Sequence, residues 1–245
     1  FEKPVSKWEE QIQVIHKLYD STPDNIVSYD GKYYKLEGAC LQAPPIRKPR
    51  PPTYMAAGGK RTLAMTGKLG DGWLPIGYTP VLFADHKAQI EKSMNENNRT
   101  QEEKDNFQFA LDIDVYFSED AEQSWAKMKE AVKVSLFKPE ILRVHKLKEI
   151  EGFDFVKYFT EYSMSDQSWI VKMREAATQM PDDVARSSIA LGTPEDIIPV
   201  FEEFMKAGVN HFVIRFWGKN YFGSIDKFAT HVMPKLRETA KKQNN

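Results

Sequence analysis

Apolar residues recur along this chain with two different periods. Phe107, Phe109, Leu111, Ile113, Val115 and Phe117 alternate with Gln108, Ala110, Asp112, Asp114 and Tyr116. A two-residue period predicts a strand with one covered face. Phe212, Ile214 and Phe216 alternate in the same way with His211, Val213, Arg215 and Trp217, predicting a last strand over 211–217. Elsewhere the period is helical. Trp8, Ile12, Ile15 and Tyr19 share one face of a first helix, for which Ser6-Lys7-Trp8-Glu9 has the form of a capping box with Ser6 as N-cap. Ile197, Val200, Phe201, Phe204 and Met205 share one face of another, with Thr193 as N-cap and Pro194 at its first position.

Turn chemistry punctuates these runs. Asp30-Gly31 between Val27-Ser28-Tyr29 and Tyr33-Tyr34-Lys35-Leu36 predicts a hairpin with a two-residue turn. Pro44 to Pro52 is a stiff, basic, extended connector. Thr53-Tyr54-Met55-Ala56-Ala57 reads as a short strand, Lys60 to Leu69 as a helix, and Asp71-Gly72-Trp73-Leu74-Pro75 as the next strand. A polar helix follows over 80–104 with a turn near Asn95 to Asn98, and another runs from Ser118, its expected N-cap, to about Phe137. Residues 138–191 read as a helical insertion, and a last helix spans about Ser224 to Lys241. Strands alternating with helices predict an α/β fold with a parallel sheet.

Several segments, in order, resemble the bacterial-luciferase-like oxidoreductase superfamily. The central one is Pro52-Thr53-Tyr54-Met55-Ala56-Ala57-Gly58-Gly59-Lys60-Arg61, running on through Thr62-Leu63-Ala64-Met65-Thr66-Gly67-Lys68-Leu69-Gly70 to Asp71-Gly72-Trp73-Leu74-Pro75. Asp30-Gly31-Lys32-Tyr33-Tyr34 before it, and Gly192-Thr193-Pro194-Glu195-Asp196 with Gly208-Val209 after it, are similar to flanking motifs of that superfamily. The resemblance implies a (β/α)8 TIM barrel of the luciferase-like type. The strands near 53–57, 71–75, 107–117 and 211–217 would then be strands five to eight of a single domain. Strands one to four are apparently absent, and Phe1-Glu2-Lys3-Pro4, without an initiator methionine, reads like chain interior.

It further implies a hydride-transferring oxidoreductase with a small-molecule substrate, using coenzyme F420, a deazaflavin, in the manner of methylenetetrahydromethanopterin reductase-like enzymes. The alternatives are an FMN-dependent monooxygenase and a non-catalytic structural subunit of the same fold. Family members are often dimers, so a homodimer in the cytoplasm is the expectation.

Candidate site residues follow from chemistry as well. In Ala56-Ala57-Gly58-Gly59-Lys60-Arg61 a strand end meets a helix N-terminus through two glycines, where free N–H groups and the helix dipole favour an anion. The resemblance makes this the cofactor phosphate loop; Trp73, Leu74 and Pro75 lie at the end of the next strand, where Trp73 either walls the cofactor ring system or substrate pocket or packs in the core. Strand alternation puts Asp112, Asp114, Arg215 and Trp217 on one inward face, predicting an Asp–Arg cluster. The histidines offer little: His16, His86 and His145 read as lying on helix surfaces, His211 opens a strand, and His231 is in the last helix. None has metal-ligand spacing with another, so no metal site is expected. No nucleophile elbow of the G-x-S-x-G type occurs, and no catalytic acid or base is identifiable.

Bulk properties narrow the classes. With 34 Lys+Arg against 35 Asp+Glu the chain has no global field for nucleic acid or an anionic membrane. Cys40 is the single cysteine, which rules out an internal disulfide. No apolar run reaches the length of a membrane span.

Overall fold

The computed structural model describes residues 2–147 and 167–243. The chain forms two compact units, Phe1–Leu74 with Ala88–Gln108, and Pro75–Lys87 with Phe109–Asn245.

In the first unit, α1 (Pro4–Tyr19) starts two residues before the expected N-cap, because Pro4 needs no N–H partner at the first helical position. Ser6 therefore lies inside the helix, and its hydroxyl faces the Arg61 guanidinium instead. Ile12 is buried with Met55 and Met65, and Val5, Trp8 and Leu69 pack around them. The hairpin of β1 (Val27–Asp30) and β2 (Lys35–Ala39) also departs from expectation. Asp30 pairs with Lys35, so four residues rather than two make the loop. The Glu10 carboxylate explains the longer loop by accepting the N–H groups of Lys32, Tyr33 and Tyr34 at 3.0, 2.8 and 3.2 Å. A side chain at Gly31 would collide with Glu10 and the Tyr29 ring, so glycine is needed there for close approach. Two short parallel strands follow, β3 (Tyr54–Met55) and β4 (Gly72–Trp73), joined by α2 (Lys60–Leu69). Helix α3 (Pro80–Glu96), whose C-terminal part lies in this unit, and α4 (Gln101–Asp105) carry the predicted helix and its turn.

The second unit is organised on β5 (Gln108–Phe117). Strand β6 (Ala190–Gly192) pairs with it in parallel from Val115↔Ala190, and β7 (His211–Phe216) pairs in parallel from Ala110↔His211 to Val115↔Phe216. Phe109, Leu111, Ile113 and Val115 are buried, as their alternation requires. β6 falls within the span read as helical, because three residues carry too short a pattern to reveal a strand. The helices are α5 (Ala121–Ser135), α6 (Pro139–Val144), α7 (Gln167–Ala177), α8 (Asp182–Arg186) and α9 (Pro194–Lys206). Residues 148–166 of the expected insertion lie outside the described residues.

Asp120, rather than Ser118, caps α5, its carboxylate accepting the Gln123 N–H, while the Ser118 hydroxyl accepts from Asp120 N–H. On α9 the Thr193–Asp196 capping pair forms, and Phe201 packs on Phe212 and Phe228 at ring separations of 4.9 and 5.4 Å. The last helix starts earlier than its pattern suggests. It consists of α10 (Tyr221–Lys227), capped by Asn220, a π-helical turn (Phe228–Val232) and α11 (Met233–Gln243). Among the described residues no helix is long and apolar enough to cross a membrane.

Candidate functional site

In the first unit β3 runs out into a loop of bare backbone. Ala57 is buried, Gly58 half-buried, and Ala56, Gly59, Lys60 and Arg61 are exposed. Gly59 takes the N-cap position of α2 in an extended conformation and contributes no capping side chain. Its own N–H donates to the Thr62 hydroxyl at 3.1 Å, and that hydroxyl donates back to the Gly59 carbonyl at 2.8 Å. The N–H groups of Lys60, Arg61 and Thr62 open the helix, where geometry leaves them no partner within it. A Cβ built on Gly59 would meet only the Thr62 hydroxyl, at 3.7 Å, so the approach to these donors is open. Donors, helix dipole and two cationic side chains suit a phosphate group.

Trp73 holds this loop from beneath. It is fully buried, and its indole N–H donates to the Ala57 carbonyl at 2.8 Å. Of the two readings of Trp73, its burial favours core packing, from which it sets the backbone that leads into the glycines. Leu74 is half-buried and its N–H donates to the Met55 carbonyl, continuing the β3–β4 pairing. Pro75 is buried.

In the second unit, Asp112, Asp114, Arg215 and Trp217 come together. The β5–β7 register sets Asp114 beside Arg215 and Asp112 beside Val213, so the guanidinium lies between the carboxylates. Arg215 Nη2 is 3.0 Å from Asp114 Oδ1, and the Trp217 indole N–H donates to that same oxygen at 2.6 Å. Arg215 Nε lies 2.8 Å from Asp112 Oδ1, yet the N–H is not aligned on the oxygen, so that contact is coulombic rather than a directed hydrogen bond. The side chains of Asp112, Asp114 and Arg215 are 23, 32 and 40% exposed, which makes the cluster paired but not sealed. It lines a cavity of about 410 Å³ with Ile76, Gly77, Ser135 and Lys138.

Lys138 was not anticipated. It is the residue before Pro139, held extended (φ −139°, ψ 145°) at the junction of α5 and α6. Its ammonium donates to the carbonyls of Ile76 and Gly77 at 2.9 and 3.0 Å and stands 5.1 Å from the centre of the Tyr78 ring. Burial lowers its pKa.

Three histidine expectations also change. His86 is 2% exposed rather than on a helix surface, and its Nδ1 meets the Tyr78 hydroxyl at 3.0 Å. Burial pushes the His86 pKa down to about 4 and raises that of Tyr78. His145 Nε2 lies 2.8 Å from the Thr79 hydroxyl, and burial lowers its pKa too. His16 is half-buried, with Nε2 3.0 Å from the Thr53 hydroxyl. The His145 and His16 contacts join residues far apart in sequence, the His86 contact residues eight apart, and no helical or strand period signals any of them. Among the described residues, no group of three or more His, Cys, Asp or Glu is placed to hold a metal ion.

Comparison with known proteins adds independent information. A family model described as luciferase-like monooxygenase matches residues 1–211. The 5,10-methylenetetrahydromethanopterin reductase of Archaeoglobus fulgidus is 27% identical over 97% of this chain and 68% of its own length. The F420-dependent glucose-6-phosphate dehydrogenase of Amycolatopsis mediterranei is 24% identical over 97% of this chain and 63% of its own length. Among solved structures, the coenzyme F420-dependent tetrahydromethanopterin reductase of Methanopyrus kandleri superposes with a TM-score of 0.70 at 22% identity, covering 95% of this chain and 63% of that one. The chain thus spans a little under two thirds of two of these relatives. The fold is the α/β luciferase-like one, with parallel strands and helices.

Proposed function

The chain belongs to the luciferase-like monooxygenase family, and from that premise we propose that it is part of an oxidoreductase that transfers a hydride between coenzyme F420 and a small organic substrate. The observation that carries this reading is the open backbone cradle at Gly58-Gly59 and the start of α2. The names of the relatives, a reductase and an F420-dependent dehydrogenase, support the deazaflavin over FMN. In the same reading β3, β4, β5 and β7 are strands five to eight of a (β/α)8 barrel.

When bound, the deazaflavin supplies the carbon that gives or takes the hydride. The chain's own residues bind and orient. The Lys60, Arg61 and Thr62 N–H groups hold a phosphate, with the Lys60 and Arg61 side chains adding charge. Trp73 keeps the Ala57 carbonyl in place so that the glycines present their backbone correctly. In the second unit, the polar cavity takes a polar part of a ligand. Its two carboxylates and two cations, Asp112, Asp114, Arg215 and Lys138, balance formally, which suits a neutral group better than a strongly charged one.

Parallel fluorescence titrations of the protein with deazaflavin coenzyme and with FMN test the reading. Saturable deazaflavin binding without an FMN response is the expected result. FMN binding alone would move the assignment to a flavin monooxygenase, and binding of neither would favour a non-catalytic subunit.

A further inference from the structure

Lys138 is placed unusually for a cationic residue in a polar cavity. Two carboxylates, Asp112 and Asp114, line the same cavity, yet they pair with Arg215, and Lys138 forms no ion pair among the described residues. Its ammonium is directed instead at two successive carbonyls, those of Ile76 and Gly77. Successive carbonyls rarely point the same way in a strand, where they alternate. The chain turns here through Gly77, whose φ of +65° favours glycine. A Cβ at Gly77 would stand 3.2 Å from the Ser135 carbonyl and 3.4 Å from Lys138 Nζ, so the turn and the ammonium are fitted to each other.

The turn continues directly from the strand geometry. Ile76 bridges to Asp112 in parallel, and the Asp112 N–H donates to the Pro75 carbonyl at 3.1 Å. Tyr78, the next residue, lies under the ammonium and is itself anchored by His86. Lys138 therefore ties the α5–α6 junction to the Ile76–Gly77 backbone, which lines the cavity together with Asp112.

We propose that Lys138 is a positioning residue: a latch that holds the Ile76–Gly77 turn and thereby sets the shape of the polar cavity for its ligand. The proposal rests on the reading of this cavity as a ligand site, but the latch itself is a property of the ligand-free chain. Its lowered pKa has the same origin as its position, burial against backbone rather than exposure to solvent.

The test uses three variants, Lys138→Met, Lys138→Arg and Gly77→Ala, with amide hydrogen exchange measured on the ligand-free chain. Lys138→Met removes the charge at similar length. It should speed exchange in the segments around Ile76–Tyr78 and at the Asp112 amide about tenfold or more, while α9 stays protected. Gly77→Ala keeps the ammonium but strains the turn, and should give the same local pattern. Lys138→Arg, which retains donors and charge, should restore part of the protection. In the enzyme saturated with deazaflavin, Lys138→Met should raise substrate KM severalfold with kcat changed less than about twofold, the mark of lost binding geometry.

Unchanged exchange around Ile76 and Asp112 in Lys138→Met would overturn the latch. So would binding of inorganic phosphate by the wild type that Lys138→Met abolishes without altering exchange, since Lys138 would then be a ligand-binding cation. If deazaflavin fails to bind while the exchange results hold, the cofactor reading falls and the latch stands.

Discussion

The glycine loop of the first unit and the polar cavity of the second are built by opposite means. At Gly58-Gly59 the groups proposed to recognise a ligand are backbone N–H donors, and side chains matter by being absent. In the cavity the proposed counterparts are side chains from β5, the end of β7 and the α5–α6 junction, and each is held by another group: Arg215 by two carboxylates, Trp217 by Asp114, Lys138 by two carbonyls. A backbone site tolerates most changes except one that fills it. A side-chain site depends on charge, on pH and on every member of the network.

The largest effect should come from filling the backbone site. Gly59→Asp has room to fold, since only the Thr62 hydroxyl lies near the new Cβ, but it places a carboxylate where a phosphate would rest. Deazaflavin affinity should fall about a thousandfold, roughly 4 kcal/mol, in a fluorescence titration. Retained affinity would remove the phosphate assignment while leaving the cavity untouched.

The second unit should instead respond to acid. His86 is neutral in the folded chain down to a pKa of about 4, whereas unfolded histidine protonates near 6.5. Between those values the unfolded state binds more protons, so stability falls as pH is lowered from about 6.5 towards 4 and then levels. The full loss is about 3 kcal/mol. Urea midpoints measured across that range should shift in the wild type and shift much less in His86→Gln. An equal shift in both proteins would mean that His86 does not carry the dependence.

Arg215→Ala comes next. Because the cluster is only partly buried, its loss should cost about 1–2 kcal/mol, between the values for exposed and buried pairs. A loss nearer 4 kcal/mol in chemical denaturation would indicate a cluster more sealed than the measured exposures of its side chains. The smallest effect should be that of Trp73→Phe, which removes one hydrogen bond to the Ala57 carbonyl, worth about 1 kcal/mol. Here the informative reading is the ratio. Deazaflavin affinity should weaken at least as much as stability if Trp73 acts by positioning the glycines, and a change in stability alone would make it purely a core residue.

How far each region could be read beforehand follows the same division. The glycine loop was legible because Gly58-Gly59 between an apolar strand and a helix is a local signal. The Asp112–Asp114–Arg215–Trp217 cluster was legible because strand alternation alone assigns their common face, even across about a hundred residues. Trp73 stayed open between ligand wall and core, since an aromatic residue at a strand end carries no mark of whether the space beside it is filled. Glu10 capping the hairpin loop, His86 beneath Tyr78 and Lys138 on the Ile76–Gly77 turn were invisible. Each is a contact between a side chain and a backbone group or ring outside its own helix or strand, which leaves no periodic trace.

Sequence alone thus determined the period of the longer elements, the faces of β5 and β7, and the backbone character of the glycine loop. These depend on geometry that repeats within a few residues. Tertiary structure decided which polar groups are buried, and therefore which are neutral, which are paired and which hold backbone in place. Burial is a property of the neighbours, and for His86, Trp73 and Lys138 those neighbours lie outside the residue's own helix or strand.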